Sequence, residues 1–231
     1  MDRRRIDMQI LARNELFAKA EPEVVAAAYD MATEQSLAAG GILFEQGAPA
    51  RRLFAVFGGR VRLTQCTEDG QQVLIRYVGA GELAGFPVLA DTPHYPVSAT
   101  AVDAVRAIHW DGPAIRGQIH ANPVLAGNAM AVLGRRYEQL QTRLRELATE
   151  NVEHRLARTL VLLVEEAGER VPEGLKVGFP ISQQELAEMA GTCLHTVSRT
   201  LTGWEAQGLV GCGRRRVLIR DIDGLRAVAD S

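Results

Sequence analysis

The C-terminal third of the chain carries residues of the types that read base edges in double-stranded DNA. Within residues 181–210, His195, Ser198 and Arg199 fall on one face of a helical pattern. The opposite face is apolar at the spacing of a buried helix side, at Val197, Leu201 and Trp204. Arginine pairs with guanine, and histidine offers a donor and an acceptor to a base edge. The pattern predicts a helix that enters the DNA major groove.

A first short helix and a sharp turn must position that face. Ser182 is a typical helix-capping residue, Leu186 and Met189 form an apolar stripe, and Gly191 allows the turn. Together they predict a helix-turn-helix over residues 181–210. The alternative is an ordinary helical hairpin whose polar residues face water.

A glycine-rich segment with three consecutive arginines follows the hairpin. Residues 208–210 and 217–219 have the apolar character of two short strands, so the arginines occupy the turn of a wing. Arginines at such a tip contact phosphates on either side of a groove, although a solvated charge run is the alternative. The predicted DNA-contacting residues are Ser182, Gln183, Thr192, His195, Thr196, Ser198, Arg199, Arg214, Arg215 and Arg216.

Composition limits the class of protein. The chain has 231 residues, of which 47% are hydrophobic and 23% charged, so it is globular and long enough for two modest cores. The net charge of −2 gives no overall basic balance, and any nucleic-acid footprint must be local.

Cysteine usage and hydropathy favour a reduced, cytoplasmic location. The three cysteines, Cys66, Cys193 and Cys212, are far apart, which supports neither a disulfide framework nor a zinc or iron–sulfur site. We expect no metal site. The sequence has no apolar stretch typical of a signal peptide or a membrane span, so we expect no membrane partner.

The first half of the chain has the alternation of short strands and turns that is typical of a small antiparallel β-structure. After a helical lead through Tyr29, short apolar runs alternate with glycine-containing turns. The predicted strands are residues 41–44, 53–57, 61–64, 73–78, 98–102 and 105–110. Their spacing predicts a β-sandwich or β-roll, and joined to the hairpin it indicates a sensor coupled to an effector domain.

A long helix with a coiled-coil seam connects the two halves. Asn122 and Pro123 begin it, and residues 150–152 break it. The seam alternates steps of four and three residues, and its predicted interface residues are Met130, Leu133, Tyr137, Leu140, Leu144 and Leu147. This pattern predicts a parallel homodimer. The alternative is a helix that packs on its own roll. Some turns of the helix could pack on the roll while others form the dimer interface.

The order of these elements resembles the Crp/Fnr family of bacterial transcription regulators. The resemblance rests on residues 40–47, on Gly81-Glu82-Leu83 and on residues 194–199 (Leu-His-Thr-Val-Ser-Arg). It implies an α+β fold with an N-terminal helix and an antiparallel β-roll similar to a cyclic-nucleotide-binding domain over residues 1–121. A dimerisation helix over residues 122–150 and a C-terminal winged helix-turn-helix over residues 151–231 follow. It also implies a homodimer that binds palindromic promoter DNA and contacts RNA polymerase.

Two departures from the family pattern bear on the effector and on the DNA site. Members that bind cyclic nucleotide carry an Arg-Ser or Arg-Thr pair about ten residues after Gly-Glu-Leu, yet this chain has no Arg or Lys between Arg76 and Arg106. We therefore expect no cyclic-nucleotide control. Members similar to the anaerobic regulators carry glutamate where this chain has His195, so a different base preference is expected there.

These sequence patterns leave several alternatives for the effector. Residues 1–65 contain no cysteine, which excludes the iron–sulfur branch. Residues 91–95 resemble the cysteine-poor, nitric-oxide-responsive branch, for which the resemblance implies haem, with His94, His109 and His120 as candidate ligands. The predicted effector-binding residues are Gly81, Glu82, His94 and Tyr95. A redox thiol at Cys193, near the start of the reading helix, is another alternative.

Two other functions compete with DNA reading. A cupin-like metal enzyme would need clustered histidine and carboxylate ligands, and the chain has no His-x-His pair, phosphate-binding loop or nucleophile elbow. We therefore predict that it is not an enzyme. The other alternative is a ligand-binding roll whose hairpin mediates protein contacts.

Overall fold

The computed structural model describes residues 3–67, 72–90, 93–149 and 151–230. The chain forms two compact units, Met1–Glu138 and Gln139–Ser231. Each unit has its own core. The boundary between them falls within a long helix, inside the segment over which the sequence predicts the dimerisation helix.

The first unit begins with helices and continues as a β-roll, as expected. Helices α1 (Arg3–Ala12) and α2 (Pro22–Asp30) flank a short 3₁₀ turn at Glu15–Phe17. The strands follow in chain order: β1 (Thr33–Leu37), β2 (Ile42–Phe44), β3 (Arg52–Gly58), β4 (Val61–Cys66), β5 (Gln72–Val78), β6 (Leu83–Ala84), β7 (Ser98–Ala101) and β8 (Val105–Asp111). They form two antiparallel four-stranded sheets, in the orders β1-β8-β3-β6 and β2-β7-β4-β5.

The first sheet is buried on both faces. Successive residues of a strand point to opposite sides, so on β8 Ile108 and Trp110 face the helices while Val105 and Ala107 face the roll interior. On the helical side, Trp110 packs near Phe17 and donates its indole N–H to the Ala28 carbonyl at 2.6 Å. This double burial explains the nearly continuous apolar character of the two central strands.

Sequence patterns missed two strands and one helix in this unit. Strand β1 lies at a sheet edge and is largely polar, so it has little apolar alternation to detect. Strand β6 has only two residues. Helix α3 (Gly112–Ala121) has a proline in its first turn and follows β8 without a loop, so the sequence gives no separate signal for the beginning of this helix.

A buried ion pair fixes the N-terminal helix to the roll. The Arg106 guanidinium donates two hydrogen bonds, of 2.6 and 2.7 Å, to the fully buried carboxylate of Asp7. The Tyr29 hydroxyl donates to the same carboxylate at 3.3 Å, and the Arg106 guanidinium lies 5.3 Å from the Phe57 ring centroid. These contacts join α1 and α2 to strands β3 and β8.

Replacing Arg106 with methionine is therefore expected to destabilise the first unit by about 3–5 kcal/mol, because Asp7 would remain buried as an uncompensated charge. Chemical denaturation of the full chain measures the change. The double variant Asp7→Asn/Arg106→Met should recover part of the loss, whereas Arg51→Met, at an exposed position, should have little effect. Equal destabilisation by the single and double variants would contradict this assignment.

The long helix α4 (Pro123–Thr149) has two different faces. Leu125 belongs to the helical-side core of the first unit and Val132 is also buried, and the Asn128 amide donates to the carbonyls of Leu16 and Ala18 at 3.0 and 2.7 Å. The predicted seam lies exposed along another face, with 43 to 70% of each residue accessible at Met130, Leu133, Tyr137, Leu140 and Leu144. The side chain of Leu147 lies outside the described residues.

The second unit is a winged helix with an additional hairpin. Its helices are α5 (Val152–Ala167), α6 (Gln183–Ala190), α7 (Leu194–Ala206) and α8 (Ile222–Asp230). Strands β9 (Gly168–Val171), β10 (Gly174–Val177), β11 (Val210–Gly213) and β12 (Arg216–Ile219) form one sheet in the order β11-β12-β10-β9. The hairpin of β9 and β10 was not predicted, because both strands are short and partly charged.

Candidate nucleic-acid interface

The predicted helix-turn-helix is present and locally well capped. Ser182 caps α6 by accepting a hydrogen bond from the Glu185 backbone N–H at 3.1 Å, while Glu185 accepts one from the Ser182 N–H at 2.7 Å. Gly191 ends α6 with φ 61° and ψ 49°, a left-handed conformation that favours glycine. These local interactions set where the first helix begins and where the chain turns.

Helix α7 has a buried apolar face and an exposed polar face. Val197, Leu201 and Trp204 are buried, as predicted, and His195 and Arg199 are exposed. The half-buried members of the predicted DNA-contacting set are Ser182, Gln183, Thr192, Thr196 and Ser198. The stripe predicted for α6 needs one correction. Met189 is only partly buried, and the small residues Ala187 and Ala190 are fully buried instead.

A buried arginine holds the turn of the hairpin. Arg155, on the first turns of α5, donates from Nε to the Ala190 carbonyl at 3.0 Å and from Nη2 to the Gly191 carbonyl at 3.3 Å. These carbonyls belong to the end of α6, where backbone acceptors have no helical partner and the helix dipole favours a cation. Arg155 thereby ties the helix after the 150–152 break to the hairpin. Sequence reasoning missed it, because an arginine in an amphipathic helix gives no sign of burial.

The wing brings the three arginines to an exposed tip. Gly213 pairs with Arg216, which leaves Arg214 and Arg215 as a two-residue turn in which Arg215 has φ 54°. The side chains of all three arginines are exposed. The tip is fixed at its backbone, since the Ile181 N–H donates to the Arg215 carbonyl at 3.1 Å.

The wing and helix α7 are also linked directly. Glu205, near the end of α7, accepts a hydrogen bond from the Cys212 backbone N–H of β11 at 3.0 Å. A cleft of about 230 Å³ lies between the start of α6 and the wing, and Ser182, Gln183 and the wing arginines contribute to its lining. The structure therefore brings the α6 start and the wing tip together beside α7.

Cys193 precedes α7 at its N-cap position and is exposed. Its Sγ lies 3.2 Å from Oγ1 of Thr196, and this hydrogen bond lowers the pKa of the Cys193 thiol. Burial instead raises the pKa of the Cys212 thiol. Of these two thiols, Cys193 therefore has the more reactive setting.

In the first unit, Gly81 and Glu82 line a small cavity of about 50 Å³ with Asn14, Phe86 and Arg136. Glu82 is engaged by this chain itself. Its Oε1 accepts from Arg76 at 2.8 Å, its Oε2 accepts from the Gly79 N–H at 2.7 Å, and Arg136 of α4 lies 3.8 Å away. Burial, with a contribution from Arg76, lowers the pKa of Arg136.

The other two predicted effector-binding residues lie apart from that cavity. Tyr95 is buried and stacks on Phe44 at 4.0 Å between ring centroids. Its hydroxyl donates to the Arg52 carbonyl at 2.7 Å and accepts from the Arg52 N–H at 2.9 Å, so its polar group is satisfied within the roll. His94 is exposed. Neither residue lines the cavity at Gly81 and Glu82.

The three histidines proposed as haem ligands have different environments. His94 and His120 are exposed, while His109 is buried beside Phe54 with its Nδ1 atom unpaired. Burial, with a contribution from Arg52, lowers the pKa of His109. None of the three lines the Gly81 cavity, whose volume is far below the several hundred Å³ of a typical cofactor site. The residues present therefore do not fit a haem there.

Metal-binding and membrane-spanning features are absent from the described part of the chain. Among those residues, no group of three or more His, Cys, Asp or Glu side chains is arranged to hold a metal ion. None of the helices described combines the length and the apolar character needed to cross a lipid bilayer.

Comparison with known proteins agrees with this architecture. Residues 34–122 match the cyclic nucleotide-binding domain family, and residues 154–228 match the Crp-like helix-turn-helix domain family. The cyclic AMP receptor protein of Thermus thermophilus is 31% identical over 214 residues, which cover 93% of this chain and 96% of that protein. The CRP-like cAMP-activated global transcriptional regulator of Mycobacterium tuberculosis is 28% identical over 217 residues, or 94% and 97% of the two chains.

A solved structure shows the same fold at lower identity. FixK2 from Bradyrhizobium japonicum superposes with a TM-score of 0.74 over 85% of this chain and 96% of that chain, at 21% identity.

Proposed function

Because this chain belongs to the Crp/Fnr family of DNA-binding transcription regulators, we propose that it acts as a homodimer on palindromic promoter sites and contacts RNA polymerase there. The observation that carries the proposal is the exposed reading face of α7 beside the arginine wing. His195 and Arg199 face outward from a packed hairpin, and the wing arginines lie at its flank. Several relatives are named as transcriptional regulators or activators, which disfavours the enzyme alternative.

The exposed seam of α4 supports the dimer. Five large side chains along one helix face remain accessible, and a second copy of the same seam would cover them in knobs-into-holes packing. Two reading helices held in this way would address half-sites about 34 Å apart, one turn of DNA. A palindromic site then follows from the twofold symmetry of the protein.

In vitro binding-site selection with the full chain tests this proposal. We expect a palindrome whose half-site centres are separated by about 10 base pairs, with guanine at the position of Arg199 in each half-site. Recovery of random sequences, with no enriched motif, would refute it and would favour a hairpin that mediates protein contacts.

The wing should contribute through phosphates, so its effect should depend on salt. For Arg215→Ala, we expect weaker binding to all DNA sequences. The slope of log affinity against log salt concentration should become shallower by about 1 for each phosphate that is no longer neutralised, which is about 2 for the dimer. Filter binding or fluorescence anisotropy at several salt concentrations measures both. Arg170→Ala removes the same charge at an exposed position on β9, the opposite edge of the sheet, and should leave the slope unchanged. Equal slopes for wild type and Arg215→Ala would rule out this role.

We also propose that cyclic nucleotides do not control this protein, although two of its relatives are named for cyclic AMP. A cyclic phosphate needs a cation, and the chain has none between Arg76 and Arg106. The Arg76 guanidinium is already bonded to Glu82 and to the carbonyls of Tyr77 and Leu83. Titration calorimetry with cyclic AMP and cyclic GMP should show no saturable binding, and a dissociation constant in the micromolar range would contradict the proposal.

A further inference from the structure

His109 is a titratable residue enclosed in the interior of the β-roll. Only 8% of it is accessible, and its ring centroid lies 5.6 Å from that of Phe54, its cross-strand partner on β3. It lies on the same face of β8 as Val105 and Ala107, which belong to the interior core of the roll. Histidine has an ordinary pKa near neutrality, so the charge within this interior depends on pH.

The surroundings of the His109 ring suit its neutral form. Its Nδ1 atom is buried and has no hydrogen-bond partner among the described residues. In a neutral imidazole one ring nitrogen carries no proton, so an unpaired Nδ1 leaves no donor unsatisfied. A protonated ring has an N–H donor at both nitrogens, and the donor at Nδ1 would be buried without an acceptor. Its positive charge would also be withdrawn from water, which is costly.

The charged groups that face His109 give little compensation for such a charge. Arg52 on β3 repels it, and Asp111, two residues along β8, attracts it. The Asp111 carboxylate is exposed and already lies 3.4 Å from the Arg52 guanidinium, so its attraction for His109 is weakened. On the other side of β8, strand β1 places the uncharged Thr33 opposite His109.

The roll interior beside Phe54 is apolar or neutral. Phe44 lies 5.6 Å from Phe54 and stacks on Tyr95 at 4.0 Å, both measured between ring centroids. Burial raises the pKa of the Tyr95 hydroxyl, so this group carries no charge near neutral pH. Burial, together with the charge of Arg52, lowers the pKa of His109.

Strand β8 connects the two cores of the first unit. It pairs with β1 and β3, and its opposite face carries Ile108 and Trp110, which share a core with Leu125 of α4. We propose that His109 is an acid-sensitive switch in the first unit, and that protonation of its ring loosens the roll and destabilises this unit selectively. This inference goes beyond the proposed function and does not depend on DNA binding.

The direction of the pH effect follows from proton linkage. In the unfolded chain the histidine has its ordinary pKa of about 6.5, whereas the folded unit binds the proton only at lower pH. The stability contributed by the neutral ring is therefore fully present well above pH 6.5 and is lost as the pH falls from about 6.5 toward the folded-state pKa. Because one proton is taken up on unfolding, the folding equilibrium constant falls by up to about tenfold for each pH unit in this window.

Hydrogen exchange of the full chain, followed by mass spectrometry of its peptides, tests the switch in both units at once. Rates are measured at about pH 7.5 and about pH 5.5 and corrected for the intrinsic pH dependence of amide exchange. Protection of peptides from β3 and β8 should fall by up to about tenfold at the lower pH. Protection of α7 peptides, which belong to the second unit, should change by less than about twofold.

Two matched variants connect the effect to His109. His109→Phe keeps a planar ring without a titratable nitrogen, and it should remove the loss of protection in β3 and β8. His120→Phe makes the same substitution at an exposed histidine of the same unit and should keep the full loss. In the wild-type chain, the NMR signals of the His109 ring should still be those of the neutral form at about pH 6.

Three results would overturn the proposal. Protection of β3 and β8 that does not change with pH in wild type is the first, and a His109→Phe protein that keeps the wild-type pH dependence is the second. The third is an ordinary titration of the His109 ring with its midpoint near pH 6.5, about the value of an unperturbed histidine. The NMR titration and the wild-type exchange decide the question even if His109→Phe fails to fold.

Discussion

Arg199→Ala is expected to abolish sequence-specific DNA binding while leaving weak, salt-sensitive binding in place. Arg199 is exposed on α7, and its backbone is held by the buried face of the same helix. A bidentate arginine–guanine pair contributes about 1–3 kcal/mol of discrimination, and a dimer would lose two such pairs. Specific affinity should therefore fall by about 30-fold or more, toward the non-specific level set by phosphate contacts.

Competition binding with selected and scrambled duplexes measures this change. The wild-type protein should prefer the selected duplex strongly, and Arg199→Ala should bind both with similar affinity. Thr202→Ala is a suitable control, since Thr202 is exposed on the same helix and its hydroxyl donates to the Ser198 carbonyl at 2.9 Å. An Arg199→Ala protein that still selects the wild-type motif would contradict the assigned role.

His195 should set the identity of a neighbouring base pair. A glutamate at this position accepts from cytosine N4, whereas histidine presents a donor and an acceptor, or two donors when protonated. His195→Glu is therefore expected to retain specific binding but to shift the selected half-site toward the sequence typical of the family members that carry glutamate. Site selection with His195→Glu measures the shift, and an unchanged motif would show that His195 makes no base contact.

Introducing a charge into the exposed seam of α4 is expected to separate the dimer. In Leu140→Glu, the two copies of the seam would bring like charges together in an apolar interface, which is strongly unfavourable. Linking two reading heads raises affinity by about 10² to 10⁴ without any new contact, so a monomer should bind a full palindrome at least about 100-fold more weakly. Affinity for a single half-site should be nearly unchanged.

Sedimentation velocity and DNA titrations test the two consequences independently. The control variant is Thr142→Glu, which adds the same charge at an exposed residue of α4 outside the seam. It should remain dimeric and bind the palindrome normally. If Leu140→Glu sediments as wild type and keeps its affinity for the palindrome, the seam is not the interface.

The features that could be predicted from the sequence are those whose determining residues lie close together along the chain. The helix-turn-helix was predicted correctly because its determinants are local. The Ser182 cap and Glu185 are three residues apart, Gly191 marks the turn, and the buried face of α7 repeats at helical spacing. The apolar stripe of α4 is also a local pattern, since its steps of four and three residues are present in the chain itself, and its role as a dimer interface stays a prediction.

The environments of the predicted effector-binding residues could not be predicted from local sequence patterns. Gly81 and Glu82 were singled out by motif, yet only their neighbours in the roll reveal that Glu82 is engaged by Arg76, Gly79 and Arg136. Tyr95 was singled out because residues 91–95 resemble the nitric-oxide-responsive branch of the family, and the fold turns its ring into the core against Phe44. A loop segment carries no periodicity, so its sequence does not say which side chains turn inward.

By itself, then, the sequence determined the order of roll, long helix and winged helix, the exposed polar face of α7 and the apolar stripe of α4. Only the tertiary structure decided that Arg106 neutralises Asp7 across 99 positions and that Arg155 holds the hairpin turn across 35. The physical reason is the same in both cases. Caps and periodic faces depend on neighbours within one or two turns, whereas a buried charge finds its partner only when packing brings distant segments together.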